Sequence, residues 1–126
     1  MLFVSLILGL VSSALAVTHS GDGTFTTFGL GACGFTNDNS QLVVGVSTAF
    51  YNDFPGATPN PNNNPICGRT ITATFQGKSV TVEVVDKCTG CAMFDLNFSP
   101  AAFDKLANES VGRIHNVSWQ LNGGGE

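Results

Sequence analysis

The chain has 126 residues, room for one domain and no more. Five basic residues stand against nine acidic ones, for a formal charge of −4, and Arg69, Lys78, Lys87, Lys105 and Arg113 are scattered singly. No basic patch exists for a phosphate backbone, which argues against nucleic-acid binding; with 11% charged residues the surface must be built from Asn, Ser, Thr and Gly, groups suited to neutral partners such as glycans.

In chain order, Leu2 to Val11 is almost wholly apolar and small residues follow it. Ala14-Leu15-Ala16 fits a small-x-small cleavage pattern, so residues 1–16 are expected to be a signal peptide and residues 17–126 a single exported domain. The apolar run falls short of the roughly 20 residues of a membrane span, and no membrane partner is expected. Thr18 to Gly23 reads as a polar lead, with His19 in it. Thr24 to Phe28 is β-branched and aromatic and reads as a strand. Gly29 to Gly34 suggests a tight, specially shaped loop. Leu42 to Ser47 reads as a second strand. Tyr51 to Pro65 is rich in proline and asparagine and reads as irregular, a functional or mobile loop.

Thr70 to Phe75 alternates, Gln76-Gly77-Lys78 is a turn, and Val80 to Val85 alternates again, which predicts a hairpin with Val80, Val82 and Val84 on its inner face. Phe94 to Asn97 reads as a short strand. Ser99-Pro100 looks like an N-cap with proline at the first helical position, opening a short helix from Pro100 to Leu106. Arg113 to Leu121 is the last strand, with Val117 and Trp119 sharing a face. About six strands and one short helix suggest a small all-β barrel that hides its sheet edges.

Cys33, Cys67, Cys88 and Cys91 form an even set in a short exported chain, which reads as a disulfide framework; the pattern alone leaves three pairings open. Cys88-Thr89-Gly90-Cys91 lacks the βαβ surroundings of a redox motif and a second ligand pair for zinc, so it reads as structural, and no metal or cofactor is expected. Asp86 continues the parity of Val80, Val82 and Val84, which places it at the end of an inward row, at the barrel rim and within reach of loop amides. Asp95 is the second candidate, and two carboxylates in one groove are the minimum for acid–base glycoside chemistry. Thr24, Phe25 and Tyr51 are added as candidate ligand-binding residues; Phe25, Phe28, Phe50, Tyr51, Phe54 and Trp119 are candidates for a sugar-stacking platform. N-glycosylation sequons begin at Asn97, Asn108 and Asn116.

Four segments occur in a fixed order: Gly31-Ala32-Cys33-Gly34, Asn64-Pro65-Ile66-Cys67-Gly68, Val84-Val85-Asp86-Lys87-Cys88 and Phe94 to Phe103. The set resembles the secreted double-psi β-barrel proteins: barwin-like proteins, the first domain of expansins, the rare lipoprotein A domain and short fungal relatives. The resemblance spans about Gly23 to Trp119. It implies a six-stranded double-psi barrel with a surface groove, and it pairs Cys33 with Cys67, leaving Cys88 to Cys91. It implies binding of cell-wall polysaccharide without hydrolysis, or inhibition of papain-like cysteine proteases or another effector role on an extracellular protein, or glycan cleavage with an aspartate at Asp95. Cleaving members carry an early acidic residue or a histidine after the second strand. Thr24 to Gly34 has no Asp or Glu and Ser47 to Tyr51 has no His, so a non-catalytic, monomeric wall binder is the leading expectation.

Overall fold

A computed structural model describes residues 16–126. The expected signal peptide falls almost wholly outside the described residues. The elements are β1 (His19–Phe25), β2 (Val43–Ser47), α1 (Thr48–Asn52), β3 (Thr70–Phe75), β4 (Lys78–Cys88), β5 (Leu96–Phe98), α2 (Pro100–Asp104) and β6 (Ile114–Leu121), with 3₁₀ turns at Pro61–Asn63 and Glu109–Val111. The strands close a barrel in the order β1-β5-β2-β4-β3-β6. Two pairs are parallel, β1 with β5 and β2 with β4; the other four are antiparallel. Closure leaves every strand paired on both sides, so no sheet edge is presented.

The hairpin forms because Gln76 and Gly77 both take positive φ, 47° and 78°, the turn whose twist matches two antiparallel strands. β4 then outruns β3. It pairs with β3 from Lys78 to Glu83 and continues to Cys88 against β2. Alternation fills the interior: Val44, Val46, Ile71, Ala73, Val80, Val82, Val84, Leu96, Phe98, Val117 and Trp119 are all buried in one cluster. The two short helices start on buried serines. Ser47 Oγ accepts from the Phe50 amide at 3.0 Å, and Ser99 Oγ accepts from the Ala102 amide at 3.3 Å.

Four expectations are corrected. The first strand begins at His19, in the segment read as a polar lead. Glycine and aspartate disfavour strands locally, and tertiary pairing with β5 and β6 overrides this. Gly21 is required there, since a Cβ would overlap the Phe94 carbonyl. His19 is accordingly packed rather than free: its ring stacks on Phe94 at 4.5 Å and meets Trp119 at 4.6 Å. Second, Tyr51 and Asn52 end helix α1, and the long Asn/Pro segment is ordered around buried Asn64. That side chain donates to the Tyr51 carbonyl at 2.6 Å and accepts from the Ile66 amide at 3.0 Å. Third, α2 stops at Asp104, though Leu106 remains buried. Fourth, the inner parity of β4 does not extend to Asp86. Val44 pairs with Val84 but Gly45 pairs with Asp86, so Val85 is an extra residue and the parity flips.

Candidate binding groove

The bulge at Val85 creates the site. Leu96 and Phe98 are buried in the core, so Asn97 between them faces outward. Thr24 pairs with Asn97, Asn97 pairs with Gly45, and Gly45 pairs with Asp86. Residues opposed across a ladder share a face. The four therefore form an outward row across β1, β5, β2 and β4, about 15 Å long at roughly 4.8 Å per strand. Gly45 has no side chain, so the row dips in the middle. A Cβ added there would sit 3.5 Å from the Asp86 carbonyl, an ordinary contact.

The chemistry of the row is neutral at its centre. Thr24 Oγ1 donates to Asn97 Oδ1 at 3.0 Å, which fixes the amide and aims its NH₂ away from the threonine. Asp86 Oδ1 accepts from the Ala32 amide at 2.9 Å and from the Lys87 amide at 2.8 Å. These bonds hold the Gly-rich loop down over β4, and Gly31 is needed because a Cβ would crowd the Val85 carbonyl and the Asp86 side chain. Such a row offers an amide donor, a hydroxyl and a carboxylate, a set that matches sugar hydroxyls. Two residues along β1 from Thr24, Asp22 accepts from His115 Nδ1 at 2.9 Å and from Arg113 Nη1 at 3.1 Å. The hydrogen bond with His115, helped by that with Arg113 and opposed by desolvation, holds the Asp22 carboxyl below its usual range.

Asp95 has another position. Its Oδ1 accepts from the Asp22 amide and its Oδ2 from the Ala92 amide, both at 2.9 Å. Both oxygens thus tie backbone at the mouth of β5, outside the row. Asn97 is the residue of this segment that the row contains; in the sequence it stands out only as a sequon at the end of a short strand. The alternation Leu96-Asn97-Phe98 was the signal that could have found it. Asn108 and Asn116, the other sequon asparagines, are exposed.

The aromatic candidates are dispersed. Phe50, Tyr51, Phe54 and Trp119 are buried, with Tyr51 1% exposed. The Tyr51 hydroxyl donates to the Pro61 carbonyl at 2.6 Å and rests 3.2 Å from Cys67 Sγ. Burial, and then the charge of Asp86, raises its phenol above the ordinary 10.0. Tyr51 is thus a core residue and not a stacking surface. Phe25 is half-buried against Phe103, 4.8 Å between ring centres. The disulfides are Cys33–Cys67 and Cys88–Cys91. With every cysteine bridged, the described residues contain no group of three or more His, Cys, Asp or Glu placed to hold a metal. No described helix is long and apolar enough to cross a membrane.

A closed barrel with two parallel strand pairs, Cys33–Cys67 joining its loops and a polar row across its face defines a class. The chain belongs to the double-psi β-barrel family. The Streptomyces papain inhibitor structure superimposes with a TM-score of 0.76 at 35% identity, covering 83% of this chain and 94% of that one. In sequence, the papain inhibitor of Streptomyces mobaraensis is 36% identical over 99 residues, 77% of this chain and 66% of the inhibitor. An EG45-like domain containing protein of Citrus jambhiri is 32% identical over 111 residues, 83% of this chain and 82% of that protein. A Clavibacter michiganensis expansin in complex with cellohexaose matches with a TM-score of 0.67 at 27% identity, over 83% of this chain and 50% of the expansin. The chain spans only 30% and 38% of the two fungal allergens it matches. No protein-family model matches the chain.

Proposed function

We propose that the protein is an extracellular binder of neutral cell-wall polysaccharide that does not cleave it, released after removal of residues 1–16. The observation that carries this is the outward row Thr24, Asn97, Gly45 and Asp86, with a neutral amide at its centre. Acid–base cleavage of a glycan uses two carboxyl groups on either side of the bond. This row contains one, Asp95 is committed to backbone amides, and Asp22 beside the row is paired with His115 and Arg113. The likeness to an expansin that holds cellohexaose supports a glycan as the ligand. The test is a pull-down of residues 17–126 on insoluble cellulose, chitin and peptidoglycan, with the supernatant assayed for released sugars. Binding without release, weakened about tenfold by Asn97→Ala, is expected, the loss of one or two hydrogen bonds. Sugar release, or binding indifferent to Asn97, would overturn the reading.

A second reading is inhibition of a papain-like cysteine protease. The likeness to the papain inhibitor, over most of both chains, favours it.

A further inference from the structure

The loop from Gly29 to Thr36 carries an apolar tip that neither the core nor the polar row uses. Leu30 is 76% exposed, the most exposed large apolar side chain among the described residues, and Phe35 is 42% exposed. A leucine left in water forgoes roughly 2 kcal/mol of burial.

This tip is held, not frayed. Leu30 and Thr36 form an antiparallel bridge. The Gly31 amide donates to the Phe35 carbonyl at 3.1 Å, and the Asn37 amide to the Gly29 carbonyl at 3.0 Å. Below the tip, the Cys33 amide donates to the Val85 carbonyl at 3.2 Å, and Asp86 holds the Ala32 amide. Cys33–Cys67 then ties the loop to the Asn/Pro segment, where Asn62 closes against Gly34. A fixed loop with two projecting apolar groups pays little ordering entropy on docking. The Gly31, Ala32, Cys33 and Gly34 amides are committed internally, which opposes relaxation of the loop into an extended strand for cleavage.

We infer that this loop is the element that enters the active-site cleft of a papain-like cysteine protease, with Leu30 filling an apolar subsite and Phe35 packing at the rim. The inference rests on the second reading above. A lipid surface fits less well: residues 26–41 contain no Lys or Arg and one Asp, so the tip has no attraction for anionic headgroups.

The experiment measures inhibition of papain by oxidised residues 17–126 as wild type, Leu30→Asp, Leu30→Ala, Phe35→Ser and Lys78→Ala, with a thermal melt of each. Leu30 is exposed, so its variants should melt with the wild type. Leu30→Asp should weaken inhibition at least ~30-fold, the equivalent of losing one buried leucine. Leu30→Ala and Phe35→Ser should weaken it less, and Lys78→Ala, at an exposed position that opens β4, should leave it unchanged. If wild type does not inhibit papain, the second reading falls and this inference with it. If wild type inhibits and Leu30→Asp inhibits equally, the loop assignment alone falls. Leucine-dependent sedimentation with phosphatidylcholine–phosphatidylserine vesicles, without papain inhibition, would overturn the inference in favour of a lipid surface.

Discussion

Two regions of the barrel use polar side chains in opposite ways. Across the face of β1, β5, β2 and β4, the ladder hydrogen bonds hold the backbone, so the Thr24 and Asn97 side chains bond each other and one oxygen of Asp86 holds no backbone amide. At the loop end the backbone has no ladder. There Asp95, Asn64, Tyr51, Asp86 Oδ1 and both disulfides do the holding. Asp95 and Asn97 show the contrast two residues apart. The charged one is structural and the neutral one faces solvent on the row. The lesson is that a carboxylate in a groove-forming segment is not thereby a functional acid; its partners decide.

The sharpest way to break this comparison is to cut the loop tethers. The Cys33–Cys67 bridge spans 34 residues and Cys88–Cys91 spans 3. On the chain-entropy account, loss of the first should cost about 4 kcal/mol and loss of the second about 2 kcal/mol. Denaturant melts of the two serine double variants check this. Equal losses would mean that loop closure is not what the bridges supply.

The next effect is smaller. Asp95→Ala removes two charge-assisted bonds and strands the part-buried Asp22 amide, while the exposed Ala92 amide turns to water, a loss of about 2 kcal/mol; Asn97→Ala should change stability by less than about 1 kcal/mol. Chemical unfolding curves on both variants measure the difference. If Asn97→Ala proved the more destabilising, the division between holding and binding residues would be wrong.

The smallest effect concerns pH. Tyr51 is the only tyrosine, and its phenol is raised above the ordinary 10.0 by burial and by the charge of Asp86. Above pH 10 the unfolded chain therefore binds fewer protons than the folded one. The stability linked to Tyr51 is full below pH 10 and declines as pH rises through the folded-state value. Tyr51→Phe should cost about 1 kcal/mol at neutral pH, through the lost bond to Pro61, and should flatten the alkaline decline. Absorbance titration of the single phenolate, with melts between pH 8 and 11, tests both parts.

The sequence alone determined the barrel class, the hairpin, the start of α2 and the core faces of the long strands. Those features rest on local chemistry: alternation in Ile71-Thr72-Ala73 and Val80-Thr81-Val82, a Gln76-Gly77 turn, and serine before proline at Ser99-Pro100. Only the tertiary structure decided the rest. β1 lies in a glycine-rich stretch with little strand propensity, and its pairing with two distant strands makes it a strand. The extra residue at Val85 reverses a parity that a straight reading of β4 would carry to Asp86. Tyr51 and Asp95 had the right chemistry for a site, but packing at the loop end gave both a structural task. Asn97 joins Thr24, Gly45 and Asp86 only because four strands far apart in the chain are neighbours in the closed sheet, and no local pattern encodes that adjacency.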